Sequence, residues 1–156
     1  SSLSVAKTYR VAKQHIDIPK VLISSSPPAN ISTNRKDFYQ MTDNKNQLRE
    51  DAIEFAIKIS DLCDEIKGCS VYINQIVRSS SSIGANIHEA KYAQSKADFL
   101  NKNNIALKEA NETCYWLELL HKTGYITPAM YDSIFADCEE ILKILISIVK
   151  TSKKNN

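Results

Sequence analysis

Residues 75–90 read "QIVRSSSSIGANIHEA", a run in which four serines and a glycine stand between segments with a helical pattern. Relative to alanine, serine costs a helix roughly 0.5 kcal/mol and glycine about 1 kcal/mol. On a helix, Ser80 and Gly84 fall on the same face as Ile76 and Ile87. Small side chains on an apolar face let a neighbouring helix approach closely. The stretch therefore predicts a tightly packed helix rather than a loop.

A second face of this predicted helix is polar, and its residues recur at three- and four-residue steps. The candidate members of this polar stripe are Ser79, Ser82, Asn86 and Glu89. Two interpretations stand for the serine-rich run. It serves close helix packing, or it offers a polar surface for self-association or for a ligand. Under the second interpretation, the polar stripe is a subunit or partner interface.

Outward from this stretch, the chain from Leu48 onward reads as four amphipathic helices. Their apolar stripes run over 48–66, 73–87, 99–120 and 130–149. Signals that end or begin helices separate them at Gly68, Ser95, Gly124 and Thr127–Pro128. Four such helices joined by short turns predict an all-α fold, an antiparallel up-and-down four-helix bundle over residues 48–150.

The two ends of the chain differ from this bundle. Residues 1–47 form a basic extension that contains the Pro/Ser stretch "SSSPPANIST", and residues 151–156 form a polar tail. The extension carries seven Lys/Arg against three acids, whereas the remainder carries thirteen against fifteen. Met41 resembles an initiator, so residues 1–40 are either an upstream extension or an artificial addition. Binding of nucleic acid would therefore require local clusters of cations in the bundle.

Length and composition narrow the class of protein. A chain of 156 residues suits one domain with a hydrophobic core. The four cysteines show no C-x-x-C spacing and mostly fall on apolar stripes, which favours reduced thiols. No apolar run approaches the ~20 residues of a membrane span, and no basic-apolar leader opens the chain. We therefore expect a cytoplasmic protein with no membrane partner.

Two stretches carry a family resemblance, "QIVRSSSSIGANIHEA" at 75–90 and "QSKADFLNKNNIALKEANETCYWLELL" at 94–120. Residues 48–150 resemble the four-helix-bundle proteins encoded in intervening sequences of bacterial large-subunit ribosomal RNA genes. They also resemble the accessory variability proteins of diversity-generating retroelements. The resemblance implies a ring-like homo-oligomer, typically a pentamer, with no established enzymatic activity. Its retroelement branch further implies contacts to nucleic acid and to a reverse transcriptase.

The chain departs from this family pattern at three places. Many relatives have proline where this chain has Gly84 and glycine where it has Ala90, and they have an arginine-rich turn where it has residues 91–94. Fewer arginines weaken the expectation of nucleic-acid binding.

Catalytic and metal-binding patterns are weak. Glu118 and His121 make one Glu-x-x-His step, but a di-metal carboxylate site needs two such steps and two further glutamates. Arg78 and His88 are ten residues apart, too far for the Arg–His motif of helical ribonucleases. No glycine-rich phosphate loop is present, and no Ser or Cys has a nearby His in the sequence. We therefore expect no enzyme activity, no metal and no cofactor.

Candidate contacts to nucleic acid are the cations of the second and third helices. They are Arg78, Lys91, Lys96, Lys102 and Lys108. Trp116 lies off the apolar stripe of its helix, so it is either a boundary residue with its N–H in water or an anchor in a subunit interface, and the resemblance favours the interface.

The sequence thus predicts a non-enzymatic oligomeric scaffold that binds itself and RNA, DNA or a nucleic-acid-handling protein such as a reverse transcriptase. The competing hypothesis is an orphan structural oligomer with no nucleic-acid ligand, encoded in a ribosomal RNA intervening sequence.

Overall fold

The computed structural model describes the backbone of residues 35–154 and the side chains of residues 46–153. Within that part the fold is all-α, without a β-strand. It forms α1 (Arg35–Glu65), α2 (Ser70–Lys91), α3 (Lys96–Lys122) and α4 (Pro128–Lys154). The predictions for residues 1–34 lie outside the described residues.

The helices are capped and terminated by the residues predicted from the sequence. Gly68 and Gly124 adopt φ values of 84° and 78°, the left-handed region that glycine tolerates without strain. At the start of α3, the Ser95 hydroxyl accepts a 3.1 Å hydrogen bond from the Asp98 backbone N–H. At the start of α4, the Thr127 hydroxyl accepts one from Met130 N–H at 3.3 Å. The predicted boundaries at these positions are confirmed.

The first helix begins earlier than predicted. Its apolar stripe starts at Leu48, but the helical backbone begins at Arg35. Periodicity marks where a helix packs, whereas a helix already formed propagates through polar residues until a breaker stops it. The sequence has neither Gly nor Pro between Pro28 and Gly68, so nothing in it ends the helix at Leu48. The second helix, in contrast, ends at Lys91 rather than near Gln94.

All four helices contribute to one hydrophobic core, and each packs against the next along the chain, with α1 also packing against α4. The large side chains that are essentially inaccessible to solvent are Phe55, Ile59, Ile76, Ile83, Leu117, Leu120 and Leu145. Because each apolar stripe turns towards this core, the polar faces remain outside, where the candidate site lies.

The serine-rich run at the centre of α2 divides between core and surface. Ser79 and Ser80 are buried, and Gly84 faces Ala52 of α1. The Ser80 hydroxyl donates to the Val77 carbonyl oxygen at 3.2 Å, which satisfies it inside the helix. The prediction of close packing at Ser80 and Gly84 is confirmed.

We predict that Gly84→Ala stabilises the protein by about 0.5–1 kcal/mol, because alanine is the better helix former. A Cβ at this position would lie 3.7 Å from Ala52 Cβ, an ordinary van der Waals contact. Gly68→Ala is the matched control, since it places a side chain at a positive φ and should destabilise. Urea unfolding of both variants measures the difference. A loss of stability for Gly84→Ala would contradict the packing described here.

Candidate functional site

Four aromatic side chains of α2, α3 and the α3–α4 turn form one partly exposed group, the aromatic surface: Tyr72, Tyr115, Trp116 and Tyr125. The Trp116 ring centroid lies 5.9 Å from that of Tyr72 and 5.1 Å from that of Tyr115. Tyr72 meets Tyr125 edge-on at 6.4 Å. Tyr72 and Trp116 also pack against the core, whereas Tyr115 and Tyr125 are 57% and 42% exposed. The surface thus has a fixed inner layer and an accessible outer one.

A charged network holds Trp116 in place. Its indole N–H donates to Glu112 Oε1 at 3.1 Å, and Arg78 bonds the same oxygen. Arg78 also pairs with Glu109 at 3.2 Å. The hydrogen bonds from Arg78 and Trp116 hold the pKa of Glu112 below its ordinary value, so this carboxylate is ionised at neutral pH. The indole N–H of Trp116 therefore has a hydrogen-bond partner within the protein. A boundary residue with its N–H in water, one of the two interpretations from the sequence, does not describe it.

The predicted polar stripe divides in the structure. Ser79 is 0% exposed and its hydroxyl lies 2.9 Å from that of Thr113 on α3, so its placement on an exposed face is corrected. Ser82 and Asn86 are partly buried, and Asn86 donates to the Ser82 carbonyl oxygen at 2.9 Å. Glu89 is exposed. Helical spacing places Ser79 beside these residues but does not reveal that α3 covers it.

The candidate cations are not equivalent. Arg78 is paired with two carboxylates, and Lys102 is paired with Glu89. Ion pairs of this kind reduce the charge available to a phosphate backbone. Lys91 donates to the Asn46 side-chain oxygen at 3.3 Å, and Lys108 is exposed without a hydrogen bond or ion pair to the residues described here.

Lys96, the fifth candidate cation, is exposed at the first residue of α3. Arg78 and Lys91 are separated by about 20 Å along α2, at 1.5 Å per residue, so the five candidates do not form one cluster.

The opposite side of the bundle is acidic. A shallow cleft between α1 and α4 is lined by carboxylates of both helices, with Lys58 and Asp137 paired across it at 2.7 Å. The charged residues that line it are Asp51, Glu54, Lys58, Asp137 and Glu140. Four carboxylates against one ammonium group repel a phosphate backbone, so this cleft is unfavourable for nucleic acid.

His121 takes a packing position. Its ring stacks on Tyr131 of α4, with centroids 4.5 Å apart and planes 13° from parallel.

Among the described residues, no three His, Cys, Asp or Glu side chains gather closely enough to hold a metal ion. None of the helices described between Arg35 and Lys154 has an apolar stretch long enough to cross a bilayer.

The sequence reasoning missed Thr113 and the three tyrosines of the aromatic surface as a group. Thr113 lies one position away from the predicted stripe residue Cys114, and its hydroxyl also reaches the Glu109 carbonyl oxygen at 2.8 Å, which allows it to be buried. Tyr72 and Tyr125 lie 53 residues apart in the sequence, so only the fold brings them together. Tyr115, Trp116 and Tyr125 lie within eleven residues near the end of α3, but Tyr72 is the only Phe, Tyr or Trp of α2, so the sequence carried no signal for the whole group.

Comparisons with known proteins agree with the motif-based resemblance. Residues 44–147 match the family model of the 23S rRNA-intervening sequence protein. A crystal structure of a protein of unknown function, from the S23 ribosomal protein family of Bacteroides thetaiotaomicron VPI-5482, is 54% identical to this chain. That alignment covers 68% of this chain and 97% of the other, with a TM-score of 0.65. Among curated proteins, none matches. A relation to retroelement accessory proteins stays a prediction.

Proposed function

Because the chain belongs to the 23S rRNA-intervening sequence protein family, we propose that it is a non-enzymatic helical scaffold that acts through self-association. One observation carries the proposal, the aromatic surface around Trp116. Trp, Tyr and Arg are the residue types that dominate binding energy in protein interfaces. Here they stand together, partly desolvated and held by the charged network.

We also infer that successive helices run in opposite directions. Arg49 of α1 donates to His88 near the end of α2 at 3.2 Å. Lys102 early in α3 pairs with Glu89 late in α2. The Lys102–Glu89 pair joins the beginning of one helix to the end of the preceding one. Between α1 and α2, Arg49 contacts His88 while Ala52, three residues later, faces Gly84, four residues earlier. Both observations support an antiparallel bundle.

The proposed occupant of the aromatic surface is a second copy of this chain. Exposed tyrosine rings lose little conformational entropy on binding and offer both apolar area and a hydroxyl, which suits an interface that must also be tolerated in water. The family resemblance implies a closed ring of five subunits. In such a ring one surface of each subunit meets a different surface of its neighbour, so the aromatic surface needs no self-complementarity.

Sedimentation equilibrium over the micromolar range tests self-association. The proposal predicts a mass that is a multiple of the 17.6 kDa chain mass, with five chains as the expected number. A single-chain mass throughout the range would overturn it.

Nucleic acid is the second candidate ligand, favoured by one observation. Lys91 and Lys108 lie on α2 and α3 without a carboxylate partner in the described part of the chain. One subunit carries too few such charges for strong binding, but a symmetric ring repeats each of them and makes the surface multivalent. The basic residues of the 1–47 segment would add a sequence-independent contribution.

If RNA or DNA binds, the double variant Lys91→Gln/Lys108→Gln should flatten the dependence of log affinity on log salt. The expected change in slope is about 0.7–0.9 for each lysine–phosphate ion pair that the substitutions remove. Lys58→Gln is the matched control, since Lys58 lies in the acidic α1–α4 cleft. Fluorescence anisotropy with labelled RNA measures the slopes. An unchanged slope in the double variant would reject this surface as the binding site.

Two alternatives remain as proposals. A reverse transcriptase is the protein partner implied by the resemblance to retroelement accessory proteins, and an oligomer with no ligand is the competing function. The genomic neighbourhood distinguishes them, because a reverse transcriptase gene beside this one supports the first, and an isolated ribosomal RNA gene supports the second.

A further inference from the structure

Two cysteines meet across the interface between α3 and α4. The sulfur atoms of Cys114 and Cys138 are 2.9 Å apart. A disulfide bond requires about 2.05 Å, so the two sulfurs need to approach each other by only about 0.9 Å. All four cysteines lie in the described part of the chain, and no other pair of them has its sulfur atoms in contact.

The two thiols have different environments. Cys138 is 0% exposed, whereas Cys114 is partly exposed. The Cys114 S–H donates to the Cys138 sulfur, and the Cys138 S–H donates to the Ala110 carbonyl oxygen at 3.5 Å. Because a thiolate has no proton to donate, the Cys138 S–H is the donor between the two sulfurs once Cys114 is ionised. This hydrogen bond to the Cys114 sulfur lowers the pKa of Cys114 below its ordinary value, although burial opposes it, and it raises the pKa of Cys138. Cys114 is thus the accessible thiol that ionises more readily.

We propose that Cys114 and Cys138 are a redox-active pair, which a hydroperoxide converts into a disulfide joining α3 to α4 and which a thiol reductant reopens. The proposal rests on the short sulfur–sulfur distance and on the unequal access to the two thiols. It is independent of the proposed scaffold function, because it concerns one chain and no partner.

The reaction proceeds in two steps that use one peroxide. The Cys114 thiolate attacks a peroxide oxygen, so that an S–O bond forms, the O–O bond breaks, and the leaving oxygen takes a proton to become water or an alcohol. The Cys138 sulfur then attacks the oxidised Cys114 sulfur, an S–S bond forms, the S–O bond breaks, and water leaves with the Cys138 proton. Two thiols are oxidised and one peroxide is reduced. A thiol reductant returns two electrons and two protons.

The other cysteines provide internal controls. Burial, followed by the nearby charge of Asp64, raises the pKa of Cys63 to about 11, so this thiol is largely protonated and slow to react. Cys63 is a buried core residue, and no other sulfur atom of the described side chains is in contact with its own. Cys63→Ser is therefore the matched control for Cys114→Ser.

To test this, the full chain is treated with hydrogen peroxide and then denatured. The remaining free thiols are labelled with a blocking reagent and counted. We expect the count to fall from four to two, with a mass decrease of about 2 Da that dithiothreitol reverses. Tryptic digestion should yield peptide 109–122 linked to peptide 123–143. The Cys63→Ser variant should form the same link.

Cys114→Ser should lose the linked peptide while keeping its helical circular dichroism, since Ser is close in size and the site is partly exposed. Four intact thiols after peroxide treatment would overturn the proposal. So would a disulfide that joins other cysteines, or one that joins two chains, in place of the 109–122 to 123–143 link.

Discussion

Leu117→Asp unfolds the protein. Leu117 is 0% exposed and belongs to the hydrophobic core, where its surroundings are apolar side chains that cannot compensate a carboxylate. Burying an unpaired charge, together with removing the leucine's apolar packing, costs several kcal/mol, which is comparable with the whole stability of a domain of this size. Far-UV circular dichroism at 25 °C should show disappearance of most of the helical signal.

Asn101→Asp is the control for this variant, because it places the same carboxylate on an exposed position of the same helix, near its N-terminus. We expect it to fold with unchanged helicity. Leu107, on the same predicted apolar stripe over 99–120, is only partly buried, so Leu107→Asp should unfold the protein less completely. A folded Leu117→Asp protein would contradict the assignment of α3 to the core.

Trp116→Ala weakens self-association. Truncating a tryptophan anchor at an interface costs about 2 kcal/mol or more, equivalent to roughly a 30-fold rise in the dissociation constant. The substitution also removes the hydrogen bond to Glu112 and the packing of the indole against Tyr72 and Tyr115. Sedimentation equilibrium should show smaller particles at micromolar concentration.

Two further variants make this prediction specific. Tyr115→Lys changes an exposed ring, so it should leave the monomer folded while weakening assembly, because it places an unpaired charge in the proposed interface and removes aromatic area. Tyr92→Ala removes an exposed ring from the other end of α2, where it contacts only His88 among the described aromatic side chains. It should assemble normally. Equal effects of Tyr92→Ala and Trp116→Ala would mean that the aromatic surface has no special role.

The helices and their ends could be predicted because they depend on local chemistry. Apolar periodicity identified the packed part of each helix, and Ser95, Thr127 and the two glycines cap or end helices through bonds made within a few residues. The beginning of α1 at Arg35 escaped prediction because the apolar stripe read from the sequence begins only at Leu48.

The candidate site was predicted less well because it depends on which helix faces meet. Arg78 and Lys102 looked like available cations, but the fold brings Glu109 and Glu112 of α3 to the former, and Glu89 of α2 to the latter. Ser79 looked exposed until α3 covered it. These contacts join residues that are 13 to 34 positions apart in the sequence and lie on different helices. The helical period of 3.6 residues relates only residues on the same helix, so it cannot predict such contacts.

Trp116 is the only tryptophan in the chain, so its fluorescence reports directly on the surface that is proposed to join subunits. The most direct test is its emission as protein is diluted from micromolar to nanomolar concentration, with quenching by acrylamide at each step. We expect the emission to shift to longer wavelength and the quenching to increase as the oligomer dissociates. If emission and quenching stay constant while sedimentation shows that the oligomer dissociates, the subunit interface lies elsewhere. That result would contradict an interface at Trp116.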